Sequence, residues 1–385
     1  MINRIKLLIN RILVRVFDRY YFSPLFPKAR FHYDLVMVRF DSIGDFIIGL
    51  DGMRAYIEVF KGKRVLYICR PYTEELVRSS NLFTDVLAVH SYDRDSIVNN
   101  LRYHLDFFCN FKNISADIVI NPTWSRLEPS DWVVHAIRAK NKYGCHGNEI
   151  NTPYWEEGDK FYTKLIHQAP LPSEFHYAQY FINNIIDPAF KAQLPRLDLI
   201  YAKEEPIVKG NYALVGISAQ DTYRIWPMDR LSKVINFIPE KYKVVLLGYG
   251  DLDLKNATEI ESSVKIPKRI VNMVNKTSVI EMFNLISNSQ FVIGMDSAPV
   301  HIAAAARVRS ICIAHGAHFK RFIPYPIELG EAEFHPRTIY KYMDCFNCGY
   351  NCSYPGWKSD GPLPCLEQVT VDMVKLELEK LLKEI

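Results

Sequence analysis

The sequence of 385 residues contains no long uninterrupted apolar run of the kind that spans a membrane or forms the core of a signal peptide. Arginine interrupts the apolar stretches near the N-terminus, and no small-residue cleavage site follows them. Tandem repeats and low-complexity tracts are also missing. Because no export signal is found, we expect the protein to work in the cytoplasm.

Outside its first 19 residues, the chain has no excess charge of either sign. The formal net charge is +4, and residues 1–19 account for all of it with five basic side chains and one acidic one. The remaining residues comprise 42 basic and 42 acidic side chains. A neutral body argues against a broad nucleic-acid-binding surface, so no nucleic-acid partner is expected.

The basic N-terminal segment, residues 1–31, has the pattern of an amphipathic helix. An apolar face stands against a basic one, with Ile5, Ile9, Ile12 and Val16 opposite Arg4, Arg11 and Arg15. Such a helix lies on an anionic membrane surface, or it packs on its own protein or on a second subunit. We favour the membrane because both faces match that use.

Apolar, strand-like runs alternate with helix-like stretches in two parts of the chain. The expected strands are residues 34–40, 64–69, 85–89 and 117–121 in the first part, and 212–218, 243–248, 291–294 and 310–315 in the second. This alternation predicts an α/β fold with parallel, doubly wound sheets. Because the length exceeds one comfortable core, we expect two Rossmann-like domains, residues 32–200 and 201–385, facing each other across a cleft.

Residues 291–306 run from a buried strand into an alanine-rich helix. Asp296 or Ser297 can cap that helix, and Pro299 suits its first turn. Free N–H groups and the positive end of the helix dipole make such a point an anion site. His301 lies within about one turn of it, so it can add a hydrogen bond or a charge. An ordinary capped strand–helix unit is the structural alternative.

Two other polar groups follow expected strands. After the first strand of the first domain, Gly44 permits close approach of the backbone, and Asp45 can accept a proton from a hydroxyl or merely cap the next helix. After the first strand of the second domain, Ser218, Thr222 and Arg224 are donors suited to phosphate oxygens. The alternative there is a surface arginine beside a packing tryptophan.

These three groups, in this order, resemble the heptosyltransferase family of glycosyltransferases, which has the two-Rossmann GT-B fold. The family pattern is Gly-Asp after strand one, Lys/Arg-x-Trp-Pro after the first strand of the second domain, and Asp-Ser/Thr-x-x-x-His-x-Ala-Ala near the end. The chain supplies Gly44-Asp45, Arg224-x-Trp226-Pro227 and Asp296-Ser297-x-Pro299-x-His301-x-Ala303-Ala304. The resemblance covers roughly residues 34–380.

The resemblance implies a role for each of these residues. Asp45 would be the base that activates the acceptor hydroxyl in an N-terminal acceptor domain. The donor nucleotide sugar would be bound in the C-terminal domain and at the Gly-Asp motif, by Gly44, Ser218, Thr222, Arg224, Asp296, Ser297, Ala298 and His301. The chain departs from the pattern at Ala298, where the family has glycine, and at Asp51, where it has proline.

By the same resemblance, we expect an inverting glycosyltransferase that moves a heptose or a related sugar from a nucleotide-diphosphate donor such as ADP-heptose. The acceptor would be a lipopolysaccharide core or another lipid-linked saccharide at the inner face of a bacterial cytoplasmic membrane. Arg224 and a helix N-terminus can stabilise the departing diphosphate without a catalytic metal. The alternatives are transfer of the sugar to a protein and a non-catalytic nucleotide-sugar-binding module.

Four of the eight cysteines lie in a loop-rich stretch with the spacing Cys345-x2-Cys348-x3-Cys352-x12-Cys365. In a reducing cytoplasm such spacing favours a metal over disulfides. Four thiolates can close a structural tetrahedral site for zinc or iron, with no open position for catalysis. Free thiols packed beneath the last helix, or a reversible disulfide, are the alternatives.

Overall fold

The computed structural model describes residues 2–90, 92–147, 154–167, 173–358 and 361–385, without the side chains of residues 2–6 and 94. The chain divides into two units. The first comprises Met1–Ser42, Arg54–Pro170 and Tyr177–Phe190, and the second comprises Ile43–Met53, Leu171–His176 and Lys191–Ile385. Each unit is built on one six-stranded sheet with helices around it, which confirms the predicted α/β class with two Rossmann-like parts.

The first unit contains an all-parallel sheet. Its strands are β1 (Phe31–Val38), β2 (Val65–Cys69), β3 (Asp85–Ala88), β4 (Ile114–Asn121), β5 (Arg138–Cys145) and β6 (Lys164–Ile166). Its helices are α1 (Ile2–Tyr21), α4 (Pro71–Ser79), α5 (Arg94–Asn99), α6 (Leu101–Cys109), α7 (Glu128–Ala136) and α8 (Trp155–Asp159). The strand order is β3-β2-β1-β4-β5-β6. The direction in which successive strands are added therefore reverses between β1 and β4, as in a Rossmann fold.

The second unit repeats this topology. Its strands are β7 (Tyr212–Gly216), β8 (Lys243–Leu247), β9 (Ile270–Asn272), β10 (Phe291–Met295), β11 (Ser310–Ile313) and β12 (Arg337–Ile339). Its helices are α2 (Ile43–Ile48), α10 (Met228–Ile235), α11 (Asp251–Ser263), α12 (Val279–Ser287), α13 (Ala298–Ala305), α14 (Pro364–Glu367) and α15 (Val371–Leu382). The order β12-β11-β10-β7-β8-β9 places the reversal between β10 and β7.

Two helices, α3 (Leu50–Val59) and α9 (Glu174–Ile185), begin in residues of the second unit and continue into the first. The helix predicted after Asp45 is interrupted, because α2 ends at Ile48 and α3 begins two residues later. Asp51, which stands where the family has proline, accepts a hydrogen bond from the backbone N–H of Gln193 at 2.8 Å. The predicted boundary at residue 200 stays a prediction.

The tryptophan of the Arg-x-Trp-Pro motif has a structural role in the core of the second unit. Trp226 is fully buried, and its indole Nε1 donates to the carbonyl of Val369 at 3.1 Å, just before α15. A buried indole stabilises the fold through its large apolar surface while its single donor is satisfied. This contact fixes the segment between β7 and α10, and therefore the position of Arg224 two residues earlier.

Helix α1 packs on the first unit with one face and exposes apolar side chains on another. Val14 and Tyr21 are buried, and the ring of Phe17 lies 5.8 Å from that of Phe108. Ile9, Ile12 and Val16 of the predicted apolar face are 50–58% exposed. Arg11 and Arg15 of the predicted basic face are also exposed, and Arg4 and Ile5 lie outside the described side chains. No helix in the described part of the chain is long and apolar enough to cross a membrane.

Candidate functional site

The loops that follow β7 and β10 meet at the carboxyl edge of the second sheet. These strands pair in parallel, with Ile293 opposite Val215. Their ends therefore lie side by side at the point where the strand order reverses. Ligands of open α/β sheets bind at such a point. Here Arg224 Nη2 donates to the carbonyl oxygen of Asp296 at 2.7 Å, which joins two of the predicted groups directly.

Helix α13 begins at this junction. Ser297 occupies the position before the helix, and proline stands in the first turn, as predicted. The predicted capping by a side chain is wrong, because Ser297 makes no capping hydrogen bond among the described residues. Its backbone is extended and its Oγ lies 3.4 Å from the carbonyl of Met295, back toward the strand. The Ser297 side chain therefore does not occupy the first-turn N–H groups, which are the groups that bind an anion at a helix start.

The carboxylate of Asp296 is buried and faces two imidazoles. Its Oδ1 lies 3.4 Å from His301 Nε2, and its Oδ2 lies 3.8 Å from His315 Nε2. Burial raises the pKa of Asp296, but the hydrogen bond from His301 and the nearby His315 and Arg224 side chains outweigh burial and lower the pKa to about 2. The side chain is therefore ionised and can accept a hydrogen bond from His301.

His301 uses both ring nitrogens within the protein. Its Nδ1 lies 2.8 Å from the hydroxyl of Tyr325, and its Nε2 faces Asp296. When the tyrosine hydroxyl donates to Nδ1, the imidazole proton sits on Nε2 and points at the carboxylate. His301 is only 4% exposed, so its position fits a residue that fixes the turn before α13.

Gly44 brings α2 against α13 within the second unit. A Cβ atom on Gly44 would lie 3.3 Å from His301 Cδ2 and 3.6 Å from Ala298 Cα, so a side chain would push the two helices apart. The absence of a side chain permits this close approach. Asp45 is the next residue and belongs to the first turn of α2. The structure therefore packs the Gly-Asp motif on the start of α13.

Ser218 and Thr222 are placed differently from the other predicted donors. The hydroxyl of Ser218 donates to the carboxylate of Asp253 in α11, and that carboxylate also accepts the N–H of Tyr249 at 2.8 Å. The Ser218 proton is thus directed at α11 and not at the end of β10. Thr222 is exposed, in a short helical turn with Arg224.

Part of the chain matches the sequence model of a known protein family. Residues 163–331 match the model of glycosyltransferase family 9 (heptosyltransferase). Over these residues, which are less than half of the chain, the sequence is similar to that family. The lipopolysaccharide heptosyltransferase 3 of Escherichia coli K12 is 35% identical over 108 residues, which are 28% of this chain and 31% of that relative. The match thus spans about a third of the length of this curated relative.

Solved structures of two glycosyltransferases share the fold. The structure of the E. coli ADP-heptose lps heptosyltransferase II aligns with a TM-score of 0.64 at 15% identity, over 91% of this chain and 99% of that one. The iron-containing dodecameric glycosyltransferase TibC of enterotoxigenic E. coli aligns with a TM-score of 0.51 at 14% identity, over 93% of this chain and 78% of TibC. At these identities, the likeness is one of fold.

Three aromatic residues near Arg224 were not predicted from the sequence. The ring of Tyr350 lies 5.4 Å from that of His315 and 4.8 Å from that of His318, between ring centroids. Burial lowers the pKa of both histidines to about 4, so both are neutral near pH 7. The two histidines lie in the loop after β11. Their position at or after the end of a predicted strand is the sequence feature that could have marked them as site residues. Tyr350 comes from a distant loop and has no local signal.

The four clustered cysteines do not form a metal-ligand set in this structure. Burial raises the pKa of Cys365, and its Sγ accepts the backbone N–H of Gly316 at 3.3 Å. Yet no three His, Cys, Asp or Glu side chains of the described residues are arranged to hold a metal ion. The metal site remains a prediction from the cysteine spacing, Cys352 included.

Proposed function

We propose that the protein is an inverting glycosyltransferase that uses a nucleotide-diphosphate sugar, with ADP-heptose as the expected donor. The acceptor is a lipopolysaccharide core or another lipid-linked saccharide. The observation that carries the proposal is the meeting of Arg224, the start of α13 and the Gly44-Asp45 turn at the reversal point of the second sheet. The names of two similar proteins, which refer to lipopolysaccharide and ADP-heptose, support the same donor and acceptor.

In this proposal the donor diphosphate lies between Arg224 and the first turn of α13. The guanidinium is held by the carbonyl of Asp296 at 2.7 Å through one nitrogen, which leaves further N–H groups for phosphate oxygens. The backbone N–H groups around Ser297 and Ala298 and the helix dipole add positive potential. Together they stabilise the negative charge that develops on the departing diphosphate, without a metal ion.

Asp45 acts as the general base of the transfer. The acceptor oxygen forms a bond to the anomeric carbon as the bond from that carbon to the diphosphate oxygen breaks. The acceptor proton passes to the Asp45 carboxylate, and the bond electrons leave with the nucleoside diphosphate. Because the attack comes from the face opposite the leaving group, the anomeric configuration is inverted. Gly44 contributes by seating this turn on α13.

The buried side chains at the junction position the donor-binding groups. The carbonyl of Asp296 accepts a hydrogen bond from Arg224, and its carboxylate faces His301 and His315. His301 is fixed between Asp296 and Tyr325. In the proposal, Asp296 and His301 therefore act mainly through the backbone they hold. Ser218 supports the loop through Asp253, and Thr222 remains a candidate phosphate donor.

Helix α1 holds the enzyme at the inner face of a cytoplasmic membrane. Its outer apolar side chains, Ile9, Ile12 and Val16, stand among basic residues on the same helix, such as Arg15. An amphipathic helix of this kind binds anionic lipid by combining apolar burial with charge attraction. The first unit would then bind the lipid-linked acceptor.

A screen of nucleotide sugars by native mass spectrometry tests this function. We expect the purified protein to retain ADP-heptose and to release ADP only when a heptose-deficient lipopolysaccharide is added. Analysis of the product by NMR should give an inverted anomeric centre. Retention of no nucleotide sugar would contradict the proposal, and appearance of the sugar on polypeptide would contradict the lipid-linked acceptor.

A further inference from the structure

The cysteine-rich loop between β12 and α14, of which residues 340–358 and 361–363 are described, presents an aromatic ring to Arg224. The guanidinium carbon of Arg224 lies 5.7 Å from the centroid of the Tyr350 ring. A cation within about 6 Å of an aromatic face is attracted by the ring quadrupole, more strongly where water is excluded. Tyr350 is half-buried, and burial raises the pKa of its hydroxyl, so the side chain is neutral.

The loop is fastened to both sides of the candidate donor site. On one side, the backbone N–H of Asn347 donates to the carbonyl of Gly316 at 2.7 Å, and that of Gly349 donates to Ala317 at 3.0 Å. On the other side, the N–H of Leu363 donates to the carbonyl of Tyr223, next to Arg224, at 2.9 Å. The loop therefore bridges the segments that follow β7 and β11.

Tyr350 has an unfavourable backbone conformation at this point. Its φ is +67°, in the left-handed region that bulky residues seldom adopt. Asn347 and Gly349 also have positive φ values, of 67° and 58°. Backbone strain of this kind persists only where surrounding contacts hold it, and it is concentrated at functional sites. In this conformation the Tyr350 ring lies 5.7 Å from the Arg224 guanidinium carbon.

Neighbouring rings hold Tyr350 from the other directions. His318 meets it edge-on at 4.8 Å, and Tyr223 lies 5.5 Å away. Arg224 is thus placed between a fixed ring and the carbonyl of Asp296, and its Nε is buried without a hydrogen-bond partner among the described residues. When a ring covers the plane of a guanidinium and a carbonyl binds one of its nitrogens, the remaining N–H groups have few possible orientations.

We propose that Tyr350 is a positioning residue of the donor site, which holds the Arg224 guanidinium toward the diphosphate of the donor. The inference rests on the proposed function, since it requires a diphosphate ligand. It gives the cysteine-rich loop a task that needs no metal: the loop carries Tyr350 to the site. The ring face supplies the interaction, and the hydroxyl is dispensable.

Binding of ADP to the full-length protein, measured by calorimetry at fixed salt, tests the inference. We expect Tyr350→Leu to weaken ADP binding about tenfold, because the cation–π contact is lost, and Tyr350→Phe to bind within about twofold of the wild type. Both replacements are L residues at the same left-handed position, so the pair isolates the ring. The matched control is Tyr342→Leu in the same loop, an exposed aromatic whose ring packs on Phe346.

Combination with Arg224→Gln shows whether Tyr350 acts through the arginine. In that background we expect Tyr350→Leu to have no further effect on ADP binding, because the group it positions is gone. An undiminished tenfold loss there, or wild-type binding by Tyr350→Leu alone, would overturn the inference and leave the proposed function standing. Wild-type protein that binds neither ADP nor other nucleoside diphosphates would overturn both. If Tyr350→Leu melts early, Tyr350→Met replaces it under the same expectations.

Discussion

Asp296 is the residue on which the candidate site is organised, although its side chain is almost inaccessible. Its carbonyl oxygen accepts a hydrogen bond from Arg224, and its carboxylate faces His301 and His315. A buried carboxylate with these neighbours is stable only as an ion that accepts hydrogen bonds. Asp296 therefore sets the geometry of the groups that would meet a ligand.

Protonation of His315 gives a residue-scale prediction for stability against pH. Burial lowers its pKa from 6.5 to about 4, so the folded protein keeps the ring neutral while the unfolded chain protonates it. The stabilisation is complete above pH 6.5 and is lost as the pH falls from 6.5 to 4, by up to about 3 kcal/mol. We expect His315→Gln to lose less unfolding free energy than wild type over this interval.

Denaturant titration at several pH values measures this difference. The exposed His90 provides the control, since His90→Gln should keep the wild-type pH dependence. If the free energy of unfolding falls equally with pH for His315→Gln and wild type between pH 6.5 and 4, the buried imidazole does not cause the loss of stability.

At the scale of elements, α1 is divided between two surfaces. Its buried face includes Val14 and Tyr21, so deletion of the helix would disturb the first unit as well as any membrane contact. Substitutions on the outer face avoid this problem. We expect the double variant Ile12→Asn, Val16→Asn to lose most of its binding to vesicles that contain anionic lipid, measured by co-sedimentation, while keeping its melting temperature.

A matched control is the exposed apolar residue Val59 at the end of α3, which is 53% exposed. Val59→Asn should bind anionic vesicles as wild type does. Undiminished binding by the α1 variant would exclude this helix face as the lipid-binding surface. Equal binding to neutral vesicles would argue against the charge contribution of the arginines.

Strand β5 shows how tertiary packing overrides the local pattern. Its sequence, RAKNKYGC, is too polar to be recognised as a strand, yet it buries Lys142 to 8% exposure. Burial lowers the pKa of Lys142 to about 7, and its Nζ donates to the carbonyl of His135 at 2.9 Å. A buried amine of this kind costs stability wherever the unfolded chain is still protonated.

Replacement of Lys142 by methionine should therefore stabilise the first unit at neutral pH. The cost is largest below pH 7 and disappears as the pH rises through 10.5, where neither state is charged. After the contribution of the lost hydrogen bond is subtracted, we expect Lys142→Met to raise the free energy of unfolding by about 2 kcal/mol at pH 7. Thermal melting at pH 7 and pH 10 checks this, with the exposed Lys140→Met of the same strand as control; a lower melting temperature at pH 7 would contradict it.

For the whole molecule, the alternation of apolar runs was enough to predict two Rossmann-like parts and eight of their strands. The missed strands are either polar, as β5 is, or only three residues long, as β6, β9 and β12 are. The division of the chain was less accessible: residues 43–53 belong to the second unit through contacts such as that of Gly44 with α13.

The candidate site was predictable where its residues lie at strand ends and follow the family motifs. The contact of Arg224 with the Asp296 carbonyl, the pairing of Ser218 with Asp253 and the approach of Tyr350 depend on how separate segments fold together. Each of these joins residues far apart in the chain, so no local pattern reports it. The motifs thus locate the site, and the fold assigns which groups face a ligand.

The central claim is that a sugar is transferred at the junction of α2 and α13 with Asp45 as the base. The most direct test compares wild type, Asp45→Asn and the exposed control Asp229→Asn in ADP release from ADP-heptose with heptose-deficient lipopolysaccharide, and in ADP binding. We predict that Asp45→Asn lowers turnover by at least about 100-fold while its affinity for ADP stays within about twofold of wild type. Turnover by Asp45→Asn at the wild-type rate would contradict the account.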